Sequence, residues 1–497
     1  MHPDDNVAVA AVDLPAGQAV EVAGETIRLT QPIPFGHKLA RRGIARGGIV
    51  FKYGQPVGRA VAEIAAGAHV HVHNIESLRG RGDWGAAAGD LTTEGSAAQF
   101  KLKTADAGVL PATHFMGYRR KDGRAGVRNH LLVMSTVHCS NSVVDRIGQT
   151  LPDVVALSHA WGCSQLGDDL AQSRRVLEEF ASHPNVGAAI IIGLGCESMP
   201  TVEMGEKLAG LGLPVARLTI QEDGGTRATY GKALGMAREI LQDLQRAQRE
   251  PIPLSELIVG LECGGSDGWS GITANPAVGV ASDLVVAAGG TVILSETTEF
   301  IGAEHVLAAR AADDAVAQRI VAFTRGREAE AARMGVDMRG GQPTPGNIAG
   351  GLTTVEEKSL GAIAKGGSTV IQEVIPYAYR PSRHGLVVMD TPGNDPESVT
   401  AMVAGGAQIV VFTTGRGTPA GCPIAPVIKV ATNSAMYRHL SDDMDLDAGT
   451  IVEAGEPLGS VGCRIFDEIV AVANGQQTAA EVWGAKEFAI NVVGPRV

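Results

Sequence analysis

Residues 257–276 read LIVGLECGGSDGWSGITANP. The apolar run Leu257-Ile258-Val259 breaks into a loop that holds Gly260, Gly264, Gly265 and Gly268 with Cys263, Ser266 and Asp267. A β-branched run that ends in glycines predicts a buried strand delivering a loop at its carboxyl end. Glycine lets backbone approach a ligand closely, and open α/β sheets bind ligands at such strand ends. The plainer alternative is a glycine turn with cysteine as core filler. The same design recurs twice. Residues 190–192 (III) run into Gly193-Leu194-Gly195-Cys196-Glu197, and residues 154–157 (VVAL) run into Ser158-His159-Ala160-Trp161-Gly162-Cys163. Three of the six cysteines therefore follow a short apolar run and sit beside a glycine. The expectation is that three strand ends converge on one site.

Working outward, residues 251–497 predict an α/β unit with strands at 257–261, 291–294, 368–372, 385–389, 408–412 and 427–431. Residues 114–250 predict another, with strands near 130–134, 154–157, 188–192 and 215–220 alternating with helices. Such alternation gives mainly parallel sheets. Pro251-Ile252-Pro253 marks the boundary between the two units. Residues 1–78 alternate short apolar segments with Gly and Pro turns about every ten residues, the sign of a small β-rich module. Residues 79–113 have linker composition. The predicted fold is α/β: a small N-terminal β domain, then two α/β units.

Gly makes up 64 of 497 residues, above the usual ~7%, and the glycines fall at turns between apolar runs. The formal charge is −12, which argues against non-specific binding of nucleic acid or anionic membrane. No run of 18 apolar residues predicts a membrane span, and the N-terminus lacks a secretion-signal pattern. Six scattered cysteines without CxxC spacing suit a reducing cytoplasm, as free thiols or metal ligands. A homodimer is the expected default assembly.

The chain has no third glycine completing a dinucleotide fingerprint after Gly193-Leu194-Gly195, no Walker lysine, no G-x-S-x-G and no H-E-x-x-H. What remains is rich in metal- and anion-binding types. His69, His71 and His73 obey period 2, so on a strand they share one face, either as a metal or anion platform or as a solvated edge. Thr413-Thr414-Gly415-Arg416-Gly417 can hold a carboxylate through hydroxyls, backbone N–H groups and a guanidinium; the plain alternative is a turn with a surface Arg. Lys358, in Glu356-Glu357-Lys358, lies on a helix whose charges read as solvated.

Several long motifs resemble one family. GYRRKDGRAGVRNHLLV, GLECGGSDGWSGITANPAVG, LSETTEFIGAEH, GGLTTVEEKSLGAIAKGG, MDTPGNDPESVTAMVAGGA and FTTGRGTPAGC are similar to motifs of the altronate and galactarate dehydratases. PIPFGHKLA and GRAVAEIAAGAHVHVHN resemble the SAF-type small (β-clip) domain that precedes them. Sulfolactate sulfo-lyase is built from a similar pair of modules on two chains. The resemblance implies a hydro-lyase that abstracts the C2 proton of a sugar acid and expels the C3 hydroxyl, giving a 2-keto-3-deoxy acid. Altronate is the expected substrate; galactarate dehydration and sulfolactate C–S cleavage are the alternatives. Fe²⁺ is the implied ion, with Mn²⁺ or another divalent ion as substitute and an iron–sulfur cluster as the alternative cofactor.

On that resemblance, His37 and His71 are expected to hold the ion, and Lys38 to pair with the substrate carboxylate. Asp267 completes the catalytic set. His73, Asn74, Ser266, Arg416 and Asn433 are expected to bind the polyol. Cys163, Cys196 and Cys263 are expected to line the opposite wall as metal or cluster ligands. A sugar-acid binding protein without catalysis is the reading from a different class.

Overall fold

The computed structural model describes residues 2–79, 112–338, 341–492 and 494. The predicted linker at 79–113 falls, apart from residues 79, 112 and 113, outside the described residues. No described helix is long and apolar enough to cross a membrane.

The N-terminal module is built from short antiparallel pairs. Val7–Val9 pairs with Lys38–Ala40, which pairs with His69–Val70; Ile49–Lys52 pairs with Gln55–Ala60, which pairs with Ile75–Glu76. Four similar corners organise it: LPAG, IPFG, IARG and IAAG, ending at Gly17, Gly36, Gly47 and Gly67. Each of these glycines has φ near +80°, which L side chains avoid. The leading apolar residues pair across the module as Leu14↔Ile33 and Ile44↔Ile64.

A four-stranded parallel sheet follows, in the spatial order Val154–Leu157, His130–Ser135, Val186–Gly193, Val215–Thr219. Val186–Gly193 is buried throughout, as a parallel strand covered on both faces should be. An antiparallel ribbon closes this unit: Glu250–Pro253 pairs with His114–Arg119, Ile252 facing Phe115. The two prolines read as a boundary are thus part of a ribbon.

The last sheet is parallel and seven-stranded, in the order Ile371–Ile375, Gly385–Met389, Thr291–Leu294, Ile258–Cys263, Ile409–Thr414, Val427–Ala431, Leu446–Asp447. The chain runs outward in one direction from Ile258–Cys263 and in the other from Ile409–Thr414. The gap between these two strand ends is a topological switch point, where such sheets bind ligands. One apolar core joins both parallel sheets: Met134 and Val155 of the first pack in one cluster with Val387, Val410 and Phe412 of the second.

The N-terminal module docks on the last unit through buried charge. Lys38 and Lys52 donate to the two oxygens of Glu357, at 2.8 and 2.9 Å. All three side chains are buried. Burial lowers Lys38 to about 8, with Lys52 adding to the effect, while the two ammonium groups overcome burial to hold the Glu357 carboxyl far below its usual range. Ser77 donates to Glu356 at 2.7 Å, and the Thr354 hydroxyl donates to the Val57 carbonyl. The helix Val355–Ala362 is buried along its whole length. Its charges are therefore not solvated: Glu356 and Glu357 take partners from the N-terminal module, and Lys358 pairs with Glu299.

Replacing Glu357 by Gln leaves two buried ammonium groups without a counter-charge. We expect a stability loss of about 3–5 kcal/mol, the usual cost of breaking a buried pair, seen as a lower denaturant midpoint with faster proteolysis of the N-terminal module. An unchanged midpoint would contradict the docking role.

Candidate active site

The site begins at the corner Pro34-Phe35-Gly36-His37-Lys38. The Gly36 carbonyl presses against backbone of the last unit: a Cβ on Gly268 or Gly351 would lie 2.0 or 2.1 Å from it. Glycine at 268 and 351 is what permits the approach. It carries His37 to the mouth of the loops at the switch point, where its Nε2 lies 3.3 Å from the Ala349 carbonyl. Donation by Nε2–H to that carbonyl leaves the Nδ1 lone pair free to bind, as outer-shell bonds do for metal-ligating histidines. His37 Nδ1 is 2.9 Å from His69 Nε2. The His71 ring centroid is 4.6 Å from that of His37.

One ring nitrogen from each of His37, His69 and His71 lies within 4.8 Å of the others. Among the described residues this is the one group of His, Cys, Asp or Glu side chains close enough to share an ion. His71 Nδ1 is buried and has no hydrogen-bond partner, the kind of orphan that a ligand explains. Burial lowers all three pKa values, to about 4 at His69 and about 3 at His71, and the Lys38 ammonium adds to the effect. The imidazoles are neutral near pH 7, the form that binds a cation. The residues fit a divalent ion.

The period-2 expectation for the histidines fails after Val70. The strand is only His69–Val70. Asn74 then fastens a turn: its Oδ1 accepts from the His71 N–H at 2.9 Å, and its Nδ2 donates to the His69 carbonyl at 2.8 Å. Asn74 is thus a buried turn clasp and is not open to a polyol. His73 lies on the exposed side, its ring 5.4 Å from that of His69. His69, absent from the expected ligands, completes the cluster with His37 and His71. Lys38 is tied to Glu357 and to the Gly351 carbonyl at 2.7 Å, so it does not face a substrate carboxylate.

Asp267 anchors the facing loop. Its Oδ1 accepts from the Trp269 and Ser270 N–H groups and the Ser270 hydroxyl at 2.9–3.0 Å. Its Oδ2 accepts from Thr432 Oγ1 at 2.8 Å and Asn433 Nδ2 at 3.1 Å. Both oxygens are occupied, so Asp267 ties two strand ends together and is a poor candidate for the base. Asn433 also caps the helix Ser434–His439 through Met436. Ser266 is buried and bonds back to the Gly264 carbonyl. Arg416 is exposed beside Gly265, free to meet an anion.

The cysteine wall does not form as expected. Cys263 is buried in the seven-stranded sheet, 3.1 Å from Lys365 Nζ, which in turn lies 2.7 Å from Glu296. Burial, then the Glu296 charge, pushes the Cys263 thiol well up. Among the described residues no cysteine shares the histidine cluster. Cys163 and Cys196 are exposed at strand ends of the other sheet.

Two acids behind the loop went unnoticed in the sequence. Burial and the Glu296 charge push Glu262 well above the usual carboxyl range. The same two causes push Asp395 up to about 7, although it opens the helix Asp395–Ala404, where the helix dipole favours the anion. Asn394-Asp395-Pro396-Glu397 reads as a routine helix start, and the Glu296 that perturbs Asp395 is remote in sequence.

Three family models match the chain: the Altronate/galactarate dehydratase SAF domain over residues 1–78, the D-galactarate dehydratase/Altronate hydrolase second domain over 117–245, and the D-galactarate/Altronate dehydratase C-terminal domain over 254–495. The chain is 37% identical to the altronate dehydratase of Escherichia coli, over 99% of this chain and 98% of that protein. It is 36% identical to the galactarate dehydratase (L-threo-forming) of E. coli, over 97% and 94%. The (2R)-sulfolactate sulfo-lyase subunit beta of Chromohalobacter salexigens is 38% identical over 77% of this chain and 98% of its own length.

Replacing His37, His69 or His71 by Ala is expected to weaken Mn²⁺ or Fe²⁺ binding by at least the roughly 10–100-fold that loss of an outer-shell partner costs. His73→Ala should leave it unchanged. Anaerobic calorimetric titration reads both; equal losses at His69 and His73 would contradict the assignment.

Proposed function

Because this chain belongs to the D-galactarate/altronate dehydratase family and is a hydro-lyase, we propose that it dehydrates altronate at C2–C3 to 2-keto-3-deoxygluconate with a divalent iron or manganese ion. The observation that carries this is the His37–His69–His71 cluster, set by the N-terminal module against the loops of the switch point. When bound there, the ion would supply Lewis-acid stabilisation of the charge that develops beside the substrate carboxylate.

The chain's own groups bind the acid and protonate the leaving group. Arg416 offers an exposed guanidinium at the loop after Ile409–Thr414, suited to an acid's carboxylate. Lys365, 2.7 Å from the Glu296 carboxylate, overcomes burial and stays charged, and Lys358, paired with Glu299, does likewise. Each of these ammonium groups is matched by a carboxylate, so the floor behind the loop is a set of buried ion pairs. Asp395, partly exposed and close to Gly264, carries its proton up to about pH 7. It can protonate the departing C3 hydroxyl as general acid. Asp267, Thr432 and Asn433 hold the loop in place.

The test is anaerobic assay with Fe²⁺ on altronate, galactarate and sulfolactate, reading 2-keto acid and sulfite. Altronate is expected to give 2-keto acid, and His71→Ala to lose turnover while its circular dichroism is unchanged. Turnover of galactarate alone, or sulfite from sulfolactate alone, would overturn the substrate; tight binding of all three without product would favour the non-catalytic reading. Asp395 adds a pH test. A proton donor whose pKa is about 7 is loaded below that pH, so kcat/KM should fall as pH rises through 7. Asp395→Asn should lower kcat and flatten that limb; an unchanged profile would remove Asp395 from the proton transfer.

A further inference from the structure

The four-stranded sheet has a switch point of its own, and three thiols stand around it. Its strand order places the ends of Val154–Leu157, His130–Ser135 and Val186–Gly193 side by side, with Met134 level with Leu157 and Ser135 level with Ile192. Neighbouring strands lie about 4.8 Å apart, so the three ends span about 10 Å. Cys163, Cys139 and Cys196 follow these three strands in turn, and all three are exposed.

The loops that carry them are stitched together. The His138 N–H donates to the Trp161 carbonyl at 2.9 Å, the Ser198 N–H to the Gly162 carbonyl at 2.9 Å, and the Thr136 N–H to the Ile192 carbonyl at 3.0 Å. Each cysteine lies within two residues of a stitch. Gly162, at φ +103°, packs so closely that a Cβ would lie 2.1 Å from the Thr136 carbonyl. Side chains brace the same loops. Glu197 accepts from Thr136 Oγ1 at 3.0 Å and from the Gly195 N–H at 2.6 Å. Asn141 links Ser135 Oγ to the His159 carbonyl, and His159 Nε2 donates to the Ser135 carbonyl. Buried and half-buried polar groups thus tie the three loops together, and the cysteines on them are exposed. Gln221 Nε2 lies 3.9 Å from Cys196 Sγ, positioned to donate to a sulfur. The helix Asn141–Thr150 starts beside Cys139 with no acidic residue in its first turn, which favours an anionic group there.

We propose that Cys139, Cys163 and Cys196 bind an iron–sulfur cluster at this edge, separate from the histidine site. A single zinc ion, with its sulfurs about 2.3 Å away, would draw three thiolates to within about 4 Å of one another. The described residues hold no such sulfur group within 4.8 Å. A cluster spreads its thiolates over several metal atoms and suits three adjacent strand ends. Of the other cysteines, Cys263 and Cys422 are buried, and Cys463 lies on the helix Leu458–Ala473. None stands on these loops, so Cys139, Cys163 and Cys196 would be the whole thiolate set for the cluster. This assignment does not rest on the dehydratase reading, because its readout is bound sulfide, whatever the turnover.

The test is to purify the full chain anaerobically, reconstitute it with Fe²⁺ and sulfide, and measure iron, acid-labile sulfide and visible absorption. Equal iron and sulfide with a broad visible charge-transfer band is the expected result. Cys139→Ser, Cys163→Ser and Cys196→Ser should each lose most of the sulfide and keep the thermal midpoint of the unreconstituted parent; Cys463→Ser should keep both. No bound sulfide, zinc bound in place of iron and sulfide, or sulfide retained by all three variants would overturn the proposal.

Discussion

One carboxylate between two buried ammonium groups holds this molecule's site together. Glu357 bonds Lys38 and Lys52 of the N-terminal module from a helix of the last unit. Buried pairs of this kind are weak sources of net stability, because desolvation offsets most of the attraction, but they are severe about geometry. Here the geometry is the point. Lys38 is the neighbour of His37, so fixing its ammonium fixes where the imidazole stands. The adjacent Lys358 pairs with Glu299, and Lys365 further on pairs with Glu296. A single buried stretch therefore positions the histidines on one side and the charged floor of the strand-end loop on the other.

This arrangement explains why the histidines belong to a small module rather than to the sheet. Parallel strand ends deliver glycines, hydroxyls and carboxylates in fixed directions, and the seven-stranded sheet uses them to clasp Asp267. A β-clip corner can bring imidazoles down onto that platform from outside. The close passage of the Gly36 carbonyl over Gly268 and Gly351 leaves little room for the module to shift. The four-stranded sheet repeats the strand-end design with thiols in place of histidines.

Much of the fold was legible in the sequence. The strands predicted at 291–294, 385–389 and 427–431 coincide with Thr291–Leu294, Gly385–Met389 and Val427–Ala431, because continuous β-branched runs bounded by glycine or polar residues have few other uses. The switch-point loops after Cys263 and Thr414 were legible for the same reason. The site was less so. His71 and His73 differ only because Asn74 clasps a turn, a tertiary fact hidden behind a clean alternation. Glu356-Glu357-Lys358 looked solvated because the partners of all three are remote or out of register in sequence: Ser77, Lys38 and Lys52 in the N-terminal module, and Glu299. The cysteine pattern was real, but it belongs to two sheets, and Cys139, the third thiol of the first sheet, sits on a short 3-10 turn just past its strand rather than beside a glycine.

The central claim is that a metal ion sits where the N-terminal module meets the last unit. Anomalous diffraction from crystals of the anaerobic protein with Fe²⁺, recorded on both sides of the iron absorption edge, tests it most directly. The account predicts an iron peak within coordination distance of His37, His69 and His71. Well-ordered imidazoles with no iron between them, and iron bound elsewhere in the last unit, would contradict it.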